Sequence, residues 1–250
     1  MLNNLKKVMF LVCCVSFIVS CTSEIDDLKP INQETSVSVF ENPESYKSFL
    51  AKIYAGISIS GQQGPAGNPD LAGLDEGFSN YLRLYWKLQE LTTDEALIGW
   101  NDGTIKDLHY QNWTPGNEFI RTMYDRILYQ VGLVNEFIRQ TSDENLASRG
   151  VEASLKAEIQ TYRAEARFMR ALSYFHALDF YRNVPFTTEL SPIGAFLPEQ
   201  TNAADLFTYI ENELIAVESE LVAPGQNEYG RADKAAAWML LAKLYLNADL

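Results

Sequence analysis

The longest uninterrupted helical signal in the chain runs from Lys156 to Pro185 (KAEIQTYRAEARFMRALSYFHALDFYRNVP) and limits what the rest can fold into. It holds no Gly and no Pro before Pro185 and is rich in Ala, Leu, Met, Glu and Arg. It therefore predicts one long helix that stops at Asn183-Val184-Pro185. Ala164, Phe168, Ala171, Phe175 and Leu178 step along one face, and Ala166, Met169, Leu172 and Ala177 form a second apolar strip beside it. Two strips need two neighbours, so this is an inner helix of an all-α packing. Arg163, Arg167 and Arg170 share one stripe and are expected to form a solvated or locally salt-bridged face. His176 has only one carboxylate, Asp179, within helical reach; a hydrogen-bonded core histidine is expected, and no metal site or cofactor.

At the other end, Asn3, Asn4, Lys6 and Lys7 precede an apolar run from Val8 to Val19, too short to span a bilayer. Residues 1–20 are expected to be a signal peptide. Ile18-Val19-Ser20-Cys21 matches the lipobox of bacterial lipoproteins, which makes Cys21 the acylated first residue of the mature chain; a secretory signal with an incidental Cys is the alternative. The other two of the three cysteines, Cys13 and Cys14, leave with the signal, so no thiol remains for disulfides, metals or catalysis. Several acyl chains at ~0.8 kcal/mol per buried CH₂ hold a protein on a membrane. Thr22-Ser23-Glu24-Ile25-Asp26-Asp27 follows as an acidic leader, and residues 21–41 form a tether. The formal net charge of −13 becomes more negative without the signal, which carries two Lys and no acid. Such a field repels phosphates, so no nucleic-acid partner is expected.

Residues 42–250 carry the fold. Asn42 and Pro43 open a helix in which Tyr46, Phe49, Leu50, Ile53, Tyr54 and Ile57 are in register. Gly61 to Gly77 is a long loop with seven Gly or Pro breakers but no phosphate-binding fingerprint. Between Tyr81 and Pro115, Trp86 falls in an apolar helical pattern and is expected in the core, whereas Trp100, Tyr110 and Trp113 lie among turn formers. Trp100-Asn101-Asp102 puts a ring beside an amide and a carboxylate, the combination that stacks on the C–H face of a sugar while bonding its hydroxyls. Trp100, Asn101, Asp102 and Tyr110 are therefore the candidate ligand-binding residues. A ring that plugs the loop onto the core remains open for Trp100 and is favoured for Trp113. Further helices are expected from Ile120 to Arg139, from Asn202 to Leu221 and from Ala232 onward.

Shifting the central helix by 71 residues lays Ala164, Ala166, Ala171, Tyr174 and Ala177 over Ala235, Ala237, Ala242, Tyr245 and Ala248. Each of the two helices follows another amphipathic helix. The fold expected is all-α, with tetratricopeptide-like helical hairpins and long irregular loop insertions.

Lipobox Cys21, Thr93-Asp94-Glu95, Trp113-Thr114-Pro115, Ala164 to Phe186 (AEARFMRALSYFHALDFYRNVPF) and Arg231 to Ala248 (RADKAAAWMLLAKLYLNA) together resemble the SusD/RagB family of outer-membrane nutrient-uptake lipoproteins. The resemblance covers the chain but only the N-terminal half of a typical member. It implies a cell-surface glycan-binding lipoprotein without enzymatic activity, which passes oligosaccharide or polysaccharide ligand to a TonB-dependent outer-membrane barrel transporter. Leu250 falls inside an uncapped apolar helix, so a fragment or truncated product is expected. Two other readings stand beside it: a helical protein-interaction scaffold, which would leave Trp100 buried, and a surface glycosidase using Asp75-Glu76 or Asp94-Glu95. Adjacent acids do not face each other across a substrate, which counts against the glycosidase.

Overall fold

The computed structural model describes residues 36–61, 69–71, 75, 77 and 79–246. The expected signal peptide, Cys21, the tether up to residue 35 and most of the Gly-rich loop lie outside the described residues. The chain divides into two units, Met1–Val39 and Phe40–Leu250. The described part of the first is a single helical turn, α1 (Ser36–Val39).

The second unit holds α2 (Glu44–Ser58), α3 (Tyr81–Glu90), α4 (Ile105–His109), α5 (Glu118–Gln140), α6 (Asp143–Ser148), α7 (Ala153–Tyr181), α8 (Ala203–Glu218) and α9 (Lys234–Leu246). The central helix begins three residues earlier than its sequence signal, at Ala153, and ends at Arg182, whose φ of 60° breaks the helical path before Val184-Pro185. It packs on α5, α8 and α2, and α8 packs in turn on α9. The pairs α5/α7 and α8/α9 are the two expected hairpins, and the all-α, tetratricopeptide-like reading holds. Both apolar strips of α7 are buried, with Leu172 half-buried. At Gly56 α2 comes close to α5, where a Cβ would lie 2.3 Å from Gln130 Oε1 and push that side chain aside.

The arginine stripe on α7 is not a solvated face. Arg163 donates to Ile138 O (2.5 Å) and Thr141 Oγ1 (2.7 Å), and Arg167 grips Glu213 through two bonds and Glu220 through a third. Arg170, 3% exposed, reaches Asn135 (2.8 Å), Glu189 (2.5 Å) and Glu213 (3.0 Å). The partners lie on α5, α8 and the chain after α7, beyond the reach of i, i+4 reasoning. Lower on α7, the fully buried Glu165 accepts from Tyr54 Oη (2.6 Å) and from both Nε (3.0 Å) and Nη2 (2.5 Å) of Arg231. That carboxylate joins α2 and α7 to the start of α9.

Two expectations fail. Trp86 is 49% exposed, because α3 buries Tyr81, Leu84 and Lys87 and the indole lies off that line. The 71-residue shift would give Tyr245 the buried setting of Tyr174, but Tyr245 is half-exposed and donates to Glu211, since α9 is the last described helix and only its Ala237, Leu240 and Leu244 face is covered. The run after Pro185 carries a short pairing of its own, for β1 (Val184–Pro185) and β2 (Gln200–Thr201) pair antiparallel across its base.

Candidate functional site

The segment from Leu91 to Asn117 connects α3 to α5 and is fastened at both ends and in the middle. Thr92 and Thr93 turn the chain out of α3 by donating back to Leu88 O, Gln89 O and Glu90 O. In the middle, Ile105 and Leu108 bury one side of α4 against the core. Lys106 Nζ donates to Ile98 O at 2.6 Å, which fixes the strand of chain just before Trp100. At the far end Asn117 caps α5 through Oδ1 and reaches back with Nδ2 to Thr104 O (3.0 Å). Thr104 and Glu118 complete the clasp by exchanging bonds, Thr104 N–H to Oε1 (3.3 Å) and Glu118 N–H to Oγ1 (3.2 Å). Gly103 is required inside this clasp: its φ is +35°, and a Cβ would sit 1.8 Å from Glu118 Oε1.

The clasp presents the sequence candidates to solvent. Trp100 is 50% and Tyr110 67% exposed, and Asn101 and Asp102 are exposed beside the indole. Trp100, Asn101 and Asp102 precede α4, and Tyr110 follows it, with its ring 5.3 Å from that of His109. Trp100 therefore does not plug the loop onto the core. Neither does Trp113, the ring for which that role was favoured: it is 44% exposed and edges an apolar cavity of about 380 Å³ with Leu88, Leu108, Pro115, Phe180 and Tyr181. Trp100, Asn101, Asp102 and Tyr110 do not line this cavity.

One residue that the sequence did not single out belongs to the same region. Lys87 is buried on α3 with its ammonium 4.4 Å from the Phe119 ring centre. Burial pushes its pKa down to about 8, with Arg83 adding to the effect and Asp102, Glu118 and Asp75 opposing it. Asp102 thus sits in the field of a buried cation. Helical spacing gave Lys87 no reason to turn inward, so nothing in the sequence marked it.

Of the two acid pairs, Asp94 and Glu95 are exposed in the turn after α3, and Asp75 is exposed while Glu76 lies outside the described residues. Among the described residues no group of three His, Cys, Asp or Glu could hold a metal ion, and no helix is long and apolar enough to cross a membrane.

No family model matches the chain. It is 37% identical over 236 residues to the starch-binding protein SusD of Bacteroides thetaiotaomicron, an alignment that takes in 94% of this chain and 39% of that protein. A solved SusD homolog from Bacteroides thetaiotaomicron superposes with a TM-score of 0.62 at 19% identity, covering 88% of this chain and 38% of its own. A SusD-like carbohydrate-binding protein from Bacteroides fragilis gives 0.55 at 21% identity, with 84% and 38% covered. Surface glycan-binding protein A from Bacteroides uniformis gives 0.60 at 18% identity, with 83% and 43% covered. The solved structures show the shared fold. The chain spans about two-fifths of the length of the relatives it matches.

Proposed function

We propose, from the premise that the chain belongs to the SusD/RagB family over the span it shares with its relatives, that it captures oligosaccharide at the cell surface without chemically changing it. In this reading Trp100 supplies the stacking face, Asn101 and Asp102 bond sugar hydroxyls, and Tyr110 offers a second ring. The observation that carries it is the half-exposed Trp100 on a segment held by the Thr104, Asn117 and Glu118 clasp. A ring fixed before the ligand arrives loses little freedom on binding. A pure scaffold would call for that indole to be buried.

The check is affinity gel electrophoresis in gels cast with amylopectin, xylan or galactomannan. Trp100→Ala is expected to weaken binding by about 1 to 1.5 kcal/mol, roughly fivefold to tenfold. Equal retardation of parent and variant would take Trp100 out of the site, and no retardation in any gel would remove the glycan reading. Sugar released from these polysaccharides by the pure protein would make it an enzyme.

Placement at the membrane follows from the lipobox. Cys21 carries the lipid, the mature chain faces the cell exterior, and its cargo passes to a TonB-dependent barrel transporter. Cys21→Ala is expected to move the protein from the membrane fraction to the soluble periplasm, and retention in the membrane would sink the anchor. A large barrel protein is expected to co-purify from detergent-solubilised outer membranes of the parent; recovery of the chain alone would remove the transporter.

A further inference from the structure

A second cavity, of about 490 Å³, opens between the β1–β2 connection and the start of α8, and no candidate drawn from the sequence reaches it. Phe186, Phe196, Glu199, Gln200, Asn202 and Asp205 are among its walls. The volume is within the roughly 300–1,000 Å³ typical of small-molecule sites.

The walls are held before any ligand arrives. Val184 pairs with Thr201 and Pro185 with Gln200, and Phe186 N–H donates to Glu199 O at 3.0 Å. Tyr174 locks the next residue from both sides, donating to Thr187 O (2.7 Å) and accepting from Thr187 N–H (2.9 Å). The Phe186 ring packs edge-on to Tyr209 at 4.7 Å and lies 5.3 Å from Tyr174. Asn202 accepts from Asp205 N–H (2.9 Å) and donates to Asp205 Oδ2 (2.6 Å), while Asn183 Oδ1 accepts from Ala203 N–H (3.0 Å).

The chemistry of the lining narrows the ligand. The lining holds two acids, Glu199 and Asp205, and no Lys or Arg, so a phosphate or carboxylate ligand finds no cation there to offset the repulsion. The acids do not converge as a metal site. A wholly apolar ligand would strip water from the Glu199 and Asp205 carboxylates and the Gln200 amide without replacing those bonds. A neutral polyhydroxy ligand satisfies both halves: its C–H face lies on a phenyl ring while its hydroxyls donate to the carboxylate and amide oxygens.

We infer that this cavity is a second glycan-contact site, on the hairpin side of the molecule and separate from the Trp100 segment. For its ligand class it rests on the glycan-binding reading, but it takes nothing from Trp100. The experiment is hydroxyl-radical footprinting of the full chain with maltohexaose, cellohexaose, xylohexaose, mannohexaose and laminarihexaose in turn, each residue's oxidation normalised to fully exposed Tyr229. Phe196, 38% exposed, and Trp100, 50% exposed, report the two sites separately. At least one sugar is expected to protect Phe196, and Phe196→Ala to weaken that sugar's binding about threefold to tenfold. Protection of Trp100 alone overturns the second site and leaves the glycan reading intact. Protection of Phe196 alone supports the second site and removes Trp100. Protection of neither ring by any of the five sugars overturns both.

Discussion

Arg126→Met is expected to lower the unfolding free energy by about 2 to 4 kcal/mol in urea titration. Arg126 leaves the face of α5 fully buried, donating from Nε to Ser79 O (2.5 Å) and from Nη2 to Ser60 O (2.7 Å) and Ser79 Oγ (3.2 Å). Those two carbonyls are the two ends of the Gly-rich excursion that begins at Gly61. Burial pushes the Arg126 pKa down from its usual range while Asp70, 3.9 Å away, opposes the shift, so the guanidinium stays charged at neutral pH. Methionine can fill the stem's volume, but it leaves Ser79 O, at a residue 0% exposed, without a donor, an orphan costing about 1 to 3 kcal/mol, and takes one of two donors from Ser60 O, which keeps the Asp70 N–H at 2.8 Å. Asp70 is not stranded as well, since Lys52 holds it at 2.7 Å. Arg126→Lys keeps the charge but cannot reach both carbonyls with a planar fork, and an intermediate loss is expected. A change below about 1 kcal/mol for the methionine variant would mean that the base of the loop is held by something else.

That buried arginine marks the boundary of what the sequence could tell. Helices announced themselves wherever one face needed covering: Tyr46, Leu50 and Ile53 on α2, Ile127, Val131, Val134 and Ile138 on α5, and Leu206, Ile210, Leu214 and Val217 on α8 all point inward as their spacing required. The start at Asn202 was equally legible, because its side chain acts on Asp205 three residues on, whereas at α2 the cap position falls to Pro43 rather than to Asn42. Polar groups buried between helices were not. Arg126, Lys87, Glu165 and Arg170 look like surface residues until the partners that satisfy them, 35 to 66 positions distant for Asn135, Ser60 and Arg231, are folded into place. The candidate site divides along the same line. A ring among turn formers pointed to Trp100 and Tyr110, and both rings are exposed. Neither the apolar cavity beside Trp113 nor the polar one beside Phe196 left a local pattern: the first draws its walls from segments joined only by the fold, and the second from one stretch, 186–205, that folds back on itself where β1 pairs with β2.

Between pH 6.5 and 4, the stability of the parent is expected to fall by about 3 kcal/mol more than that of His176→Phe. His176 is 8% exposed on α7, with its Nδ1 2.9 Å from Tyr81 Oη and its ring 4.5 Å from that of Tyr85. Burial pushes its pKa down to about 4, and the positive Lys243 adds to the shift. At neutral pH the imidazole is uncharged in both folded and unfolded chains and costs nothing. As the pH drops below about 6.5 the unfolded chain takes up a proton that the folded chain refuses until about pH 4, and the imbalance draws the equilibrium toward unfolding. Above that window the contribution is fully present; below it, the loss is complete. Phenylalanine keeps the ring packed against Tyr85 and removes the titration, while every other titratable group is common to both proteins and drops out of the difference. Denaturant titrations of the two proteins at half-unit intervals measure that difference directly. Curves that stay parallel from pH 6.5 to 4 would show that His176 takes up its proton in the folded chain as freely as in water.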